Sequence, residues 1–302
     1  MLSIIIVSWN TRELLHRCLA SIEAQRGELE VEVIVVDNNS HDGTPDMIRQ
    51  EHPQVRLIEP GENLGFSAGN NVGLAEARGR WLMLLNPDTE IIGDALSILV
   101  GFLQNHPAVG LVGPALFYAD GSQQSTRHRF PSLLSLFVAS TPLYPLLSPL
   151  LRQYYMSDQS VKEVQAVDWL SGAALVVRRE VYQNVGGLDE GFFMYFEETD
   201  WQRRIKAAGW PIWFLPDAVI RHYEDASSGQ VVALRHIRFN RSRIRYTKRW
   251  HGARLATWLR AWLLLLFAIE WLKEASKWLV GHKRPLRQQR MKEYQQVLAS
   301  GL

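Results

Sequence analysis

Polar clusters stand where apolar runs end in this 302-residue chain. Residues 2–7 form a near-continuous apolar run that stops at Ser8-Trp9-Asn10. Residues 31–36 stop at Asp37-Asn38-Asn39-Ser40-His41-Asp42-Gly43-Thr44, and residues 81–85 stop at Asn86-Pro87-Asp88. A carboxylate so placed can accept hydrogen bonds from a base or a ribose, or hold a divalent cation. Mg2+ and Mn2+ take oxygen ligands and commonly bridge one or two carboxylates to substrate phosphates. Taken singly, Asp37 and Asp88 read equally well as caps of the helices that follow. Three such ends in succession favour chemistry. A further cluster, Glu197-Glu198-Thr199-Asp200, opens a helical pattern with Glu197 and Asp200 on one face. The plainer alternative there is that acids favour a helix N-terminus.

The elements that must carry these clusters follow from periodicity. Near-continuous apolar runs are what strands covered on both faces look like. Between them Leu14, Leu15, Cys18, Leu19 and Ile22 recur at helical spacing, and a second helix opens at Pro45 after Gly43. A third spans about 67–77, and Ile98, Leu99, Phe102 and Leu103 mark a fourth. This order predicts an α/β fold, a doubly wound, mostly parallel sheet flanked by helices. Ligands in such sheets sit beyond the carboxyl ends of the strands. Further on come a strand at 173–177, a helix at 197–208, and two strands at 212–215 and 218–222, the last ending in His222. The apolar segment 130–156 is interrupted by Pro131, Pro142, Pro145 and Pro149, which block a long helix. It reads as a packed insertion, with lipid contact or an acceptor cover as the alternative.

Composition narrows the class. With 47% apolar residues the chain can build a substantial core. The single cysteine, Cys18, excludes an internal disulfide, argues against a thiolate zinc site, and reads as a buried core residue. That usage fits a reducing cytoplasm. Residues 2–7 are too short for a signal peptide and read as a first strand. The net charge of +2 hides an asymmetry: residues 235–302 carry 16 Lys and Arg against 3 acids, residues 1–234 carry 17 against 28. An acidic body with a basic tail points to an anionic surface as the tail's partner.

Five blocks in order resemble a known family. They are Ile5-Ile6-Val7-Ser8-Trp9-Asn10, Val35-Val36-Asp37 with the polar run to Thr44, Asn63-Leu64-Gly65-Phe66-Ser67-Ala68-Gly69-Asn70-Asn71, Leu84-Leu85-Asn86-Pro87-Asp88, and residues 187–200. Over residues 1–230 the chain resembles the inverting GT-A glycosyltransferases of family 2, and within them a bacterial rhamnosyltransferase-like branch. The resemblance implies a GT-A fold with a C-terminal helical extension. Ser8, Asn10 and Asn39 would line the nucleotide pocket and Asp37 would read the pyrimidine. Asn63, Gly65 and Asn70 would lie near the donor, Gly65 and Gly69 allowing close backbone approach. Asn86-Pro87-Asp88 takes the place of the family's Asp-x-Asp metal motif. Asn86 could hydrogen-bond the donor, Asp88 would be the principal ligand of Mg2+ or Mn2+, and His222 would complete that site. An inverting transfer needs a base for the acceptor hydroxyl. Glu198 occupies the base position where the family usually has Asp, with Glu197 as the alternative. Trp169 and Asp200 would lie on the acceptor side.

The implied organisation is a catalytic domain over residues 1–234, with a nucleotide-binding half to about 115 and an acceptor half from about 116 to 234. Residues 235–302 form a basic helical tail. Its longest uninterrupted apolar stretch, 261–269, falls short of the roughly 18 residues a spanning helix needs. Arginines interleaved with tryptophans on an amphipathic helix suit a membrane interface. The alternatives are a helical pair packing on the body or forming a homodimer. Nucleic acid is not expected, because the acidic body would repel its phosphates. These expectations describe a cytoplasmic, peripheral enzyme of the inner membrane, moving rhamnose from a nucleoside-diphosphate donor to a lipid-linked or glycan acceptor. The rivals are a polyprenol-phosphate sugar synthase and a non-catalytic nucleotide-sugar-binding membrane protein.

Overall fold

A computed structural model describes residues 1–139, 141–157, 159–223 and 232–302. The chain divides into two compact units. The first holds Met1–Phe130, Gln153–Phe193 and Glu197–Ser227; the second holds Pro131–Arg152, Met194–Phe196 and Ser228–Leu302.

The first unit opens with β1 (Leu2–Ser8), α1 (Arg12–Gln25), β2 (Val31–Asp37), α2 (Thr44–Glu51), β3 (Arg56–Ile58), α3 (Gly65–Glu76) and β4 (Trp81–Leu85). It continues with β5 (Thr89–Ile92), α4 (Ala95–Asn105), β6 (Leu111–Phe117) and the short β7 (Arg127–His128). In the second unit α5 (Leu133–Val138) and α6 (Tyr144–Leu147) follow. The first unit resumes with β8 (Gln165–Val167), β9 (Trp169–Leu170), β10 (Ala174–Arg178), α7 (Arg179–Val185), α8 (Glu197–Ala207) and β11 (Ile212–His222). The second closes with α9 (Val232–His251), α10 (Ala253–Leu279) and α11 (Arg284–Ala299).

The main sheet has the order β3-β2-β1-β4-β10-β6-β11-β5, with β8 also on β11. β1, β2, β3, β4, β6 and β11 run one way; β5, β8 and β10 run against them. The mostly parallel sheet expected from the sequence is therefore present. The antiparallel β10 is wedged between β4 and β6. The two strands expected at 212–215 and 218–222 are one long β11, with a register break between Leu215 and Val219. Pro216, which cannot donate to a ladder, lies at that break.

Every residue of β1 is buried, because both edges are paired and both faces are covered. Alternation sorts its side chains: Leu2, Ile4 and Ile6 join α1, α2 and α4 in one core, while Ile5 joins α3, α7 and α8 in the other. Cys18 belongs to the first core, and its burial pushes the thiol up to about 12. Gly73 lets α3 lie close on β1, since a Cβ there would sit 2.4 Å from Ile5 Cγ2.

In the second unit the proline-interrupted segment Pro131–Arg152 forms the short α5 and α6 and a single 3-10 turn at Ser148–Leu151 among its described residues. The Trp262 indole on α10 donates to Phe137 O on α5 at 2.9 Å, and Ser242 Oγ on α9 donates to Met194 O at 2.8 Å. Buried Glu274 on α10 pairs with Arg287 on α11 at 2.7 Å. One expectation is corrected here. α10 is the one described helix long and apolar enough to cross a membrane, with a mean hydropathy of 1.5 over its best 18 residues. Counting uninterrupted residues hid this, because Arg260 and Glu270 break a stretch that is otherwise apolar.

Candidate active site

The ends of β1 and β2 are laced together by side chains. Ser8 Oγ and Thr11 Oγ1 are 3.0 Å apart, the Asn10 N–H donates to Ser40 Oγ at 2.8 Å, and the His41 N–H donates to Asn10 Oδ1 at 2.8 Å. Asn10 and Asn39 both take left-handed φ, 52° and 62°, which asparagine tolerates better than other non-glycine residues. Asp37 is buried at the end of β2. Its Oδ2 accepts from the Ser40 N–H at 2.8 Å, whereas Oδ1 has no partner. Burial pushes the Asp37 carboxyl above its usual range. A buried carboxylate oxygen left open in this way fits an N–H or O–H donor from a ligand.

The α3 block is occupied by local bonds. Asn63 Oδ1 accepts from the Gly65 N–H at 3.0 Å, and buried Asn70 donates to Phe66 O at 2.8 Å. Gly65 has φ +83°, and a Cβ there would lie 2.6 Å from Phe193 O. The close approach expected at Gly65 is to the protein's own backbone. Asn38 Nδ2 donates to Gly65 O at 3.0 Å, tying this turn to the end of β2.

Asn86-Pro87-Asp88 follows β4, and sheet register delivers its partner. β5 pairs β11 with Thr89 opposite His222, so Asp88 is set beside the imidazole. His222 Nε2 lies 3.3 Å from Asp88 Oδ1 and 3.4 Å from Asn86 Nδ2. Asn86 Oδ1 is buried without a partner. Gln124, from the turn after β6, holds the far side of the ring: its Nε2 donates to His222 O at 2.8 Å, and its Oε1 lies 3.0 Å from Nδ1. Among the described residues no three of His, Cys, Asp and Glu converge. A divalent ion here would have the Asp88 carboxylate, His222 Nε2 and the open Asn86 oxygen, a mostly oxygen set that suits Mn2+ or Mg2+ completed by donor phosphates. The residues present fit such an ion.

Glu197 and Glu198 open α8 after two residues with left-handed φ, Tyr195 at 72° and Phe196 at 65°. Desolvation pushes the Glu198 carboxyl up to about 7. Glu197 is raised well above its usual value by burial and by the charge of Glu198. Each keeps one buried oxygen without a partner. Burial thus raises the proton affinity of both carboxyls, and a base whose affinity lies near neutral pH is an effective one.

The two acidic clusters meet at one short segment. The Asn86 N–H donates to Ala173 O at 2.9 Å, and the preceding residue, Gly172, packs on Glu198: a Cβ there would lie 3.2 Å from Glu198 Cβ and Cγ. Trp169 is 8% exposed; His128 stacks on its ring at 4.2 Å and its indole donates to Arg129 O. Asp200, expected on the acceptor side, is fully buried and paired with Arg204 at 3.0 Å. Arg204 also donates to Val185 O and Gly187 O, so this pair anchors α8 to the loop after α7. The residues missed from sequence are Gln124 and Ala173. Gln124 stands in a polar turn with no periodic signal, and Ala173 acts through its backbone oxygen.

Comparison with known proteins agrees with this geometry. A model described as glycosyl transferase family 2 matches residues 3–186. The N-acetylglucosaminyl-diphospho-decaprenol L-rhamnosyltransferase of Mycobacterium tuberculosis is 32% identical over 243 residues, 76% of this chain and 78% of that enzyme. GalNAc-T7 with UDP, GalNAc and Mn2+ superposes with a TM-score of 0.59 at 17% identity, over 75% of this chain and 44% of its own. A mannosyltransferase of Pyrobaculum calidifontis, in complex with GDP-Man and Mn2+, gives 0.57 at 18% identity, over 99% of this chain and 85% of its own. These two share the GT-A fold. With more than half of its length matched by that family, the chain belongs to glycosyl transferase family 2 and is a glycosyltransferase of the hexosyltransferase class.

Proposed function

We propose that the chain transfers rhamnose, with inversion, from a nucleoside-diphosphate donor to a hydroxyl of a lipid-linked saccharide. The observation that carries this reading is the meeting of the Asn86–Asp88–His222 corner and Glu198 at residues 172–173. It brings a place for a diphosphate next to a carboxylate of raised proton affinity. Asp37, with Ser8 and Asn10, binds the base and ribose through its open oxygen. Asn86 Oδ1 and Asp88 face the diphosphate. Glu198 takes the proton of the acceptor hydroxyl as its oxygen attacks the anomeric carbon from the face opposite the leaving group. A Mg2+ or Mn2+ ion held by Asp88, His222 and Asn86 would neutralise charge on the leaving diphosphate. The rhamnose donor and diphospho-lipid acceptor are carried over from the name of the mycobacterial relative. A polyprenol-phosphate acceptor is already anionic and needs no base, so the raised Glu198 favours a hydroxyl.

The second unit suits peripheral attachment to an anionic, cytoplasmic-face membrane. Trp258, Leu265, Leu272 and Leu279 are exposed and recur every seventh residue along α10. They make an apolar stripe about 30 Å long. Lys and Arg dominate α9 and α11 beside it. A spanning α10 would drag the paired, polar α11 into hydrocarbon through the Glu274–Arg287 bond, whereas a helix lying in the interface would not.

The test is transfer from dTDP-rhamnose to a synthetic polyprenyl-diphospho-N-acetylglucosamine, with the anomeric configuration of the product read by NMR. The proposal expects a product of configuration opposite to the donor. Retention would remove the single-displacement mechanism, and absence of transfer with this pair would remove the substrate assignment.

A further inference from the structure

We propose that Gln124 is a positioning residue that holds His222 in the Nδ1–H tautomer, so that the Nε2 lone pair faces Asn86 and Asp88. The hydrogen-bond arithmetic is closed. Gln124 Nε2 donates to the backbone oxygen of His222 at 2.8 Å, and an oxygen can only accept, so the amide orientation is set. The remaining amide atom, Oε1, is an acceptor 3.0 Å from Nδ1, so Nδ1 must carry the hydrogen. Gln124 is 6% exposed, which leaves little water to compete for either bond.

A neutral imidazole with hydrogen on Nδ1 has a bare Nε2. That lone pair lies 3.3 Å from Asp88 Oδ1, while the Asn86 amide approaches at a long 3.4 Å. Two lone-pair atoms at that separation repel unless a proton or a cation lies between them. Histidines that bind metals generally donate their other ring N–H to an acceptor, which fixes tautomer and orientation together. Gln124 supplies that acceptor and, by gripping the backbone of the same residue, also fixes where the ring hangs from β11. The use of Nε2 for a cation rests on the metal-assisted reading above; the tautomer does not.

The plainer role for Gln124 is to close its own turn, since its N–H donates to Leu116 O at 2.8 Å. Side-chain substitution leaves that bond in place, so the two roles separate. The full chain, labelled with 15N-histidine, is compared in metal-free buffer at pH 8 by long-range proton–nitrogen correlation, with His222→Asn giving the assignment. Mn2+ binding with a nucleoside diphosphate present is followed by EPR. Wild type should show the Nδ1–H pattern. Gln124→Leu should move it to Nε2–H or a mixture and weaken Mn2+ binding roughly 10–100-fold. Gln124→Glu keeps an acceptor for Nδ1–H but loses the donor to His222 O, so it should keep the wild-type pattern and recover only part of the affinity. An Nε2–H pattern in the wild type, an unchanged pattern in a folded Gln124→Leu, or equal losses in both variants would overturn the proposal. If Gln124→Leu does not fold, an Nε2–H pattern in Gln124→Glu does the same. Wild type that binds no Mn2+ would end the metal reading, while the spectra still decide the role of Gln124.

Discussion

At the scale of single residues, the acidic pair at the start of α8 bears most of the chemical argument. Desolvation raises both carboxyls, with Glu198 brought to about 7. The base must be ionised to act, so the transfer rate should rise with pH through the region around 7 and level off above it. A limb centred near 4 to 5 would show an ordinary carboxylate and refute the environment described. Stability should move the other way. A carboxyl whose folded value lies above its unfolded one binds more protons when folded, so stability falls as pH rises from about 4.5 towards 7. Glu198→Gln removes that penalty and should raise the melting temperature at pH 8 by a few degrees, with a smaller gain at pH 5. Equal gains at both values would count against it. The two acidic clusters were legible in sequence because they interrupt strong apolar runs. What joins them was not: Asn86 bonds the backbone of Ala173, and Glu198 rests on Gly172, which has no side chain to notice. Asp200 is fully buried and paired with Arg204 one helical turn on, a structural partner that i,i+4 spacing alone could have named.

At the scale of elements, the parallel strands β1, β2 and β4 were legible as apolar runs between helical periods, whereas the short β3 was not. The strand at 173–177 was legible but its sense was not, because a short apolar run looks the same in either direction, and β5, only half apolar, was not read at all. Pairing decides their sense, and pairing is a long-range property. The consequence is functional, for β5 against β11 is what brings His222 to Asp88. α3 offers the sharpest packing test. With a Cβ at position 73 only 2.4 Å from Ile5 Cγ2, Gly73→Ala must lift α3 from β1 or bend β1. It should cost about 1–3 kcal/mol, measured from denaturant midpoints, despite the better helix propensity of alanine. A gain in stability would mean that α3 is held less closely than described.

At the scale of the whole molecule, the charge split between residues 1–234 and 235–302 was readable by counting, but the character of α10 was not. Its apolar residues are interrupted by charges, of which Glu274 turns inward onto Arg287, while a long stripe of Trp258, Leu265, Leu272 and Leu279 stays exposed. The full chain should float with vesicles containing anionic lipid, much less with zwitterionic vesicles, and be largely released as ionic strength rises towards about 1 M. Retention through high salt and alkaline carbonate would instead show a spanning α10, and absence from all vesicles would remove the membrane assignment.

The central claim is that Glu198, beside the Asn86–Asp88–His222 corner, takes the acceptor proton. Its most direct test is the single-turnover transfer rate of Glu198→Gln against wild type, with donor and acceptor saturating and folding verified. The account predicts a loss of roughly 10²–10⁴-fold, the range a positioned general base contributes, with donor binding little changed. A Glu198→Gln enzyme that transfers at the wild-type rate would contradict it.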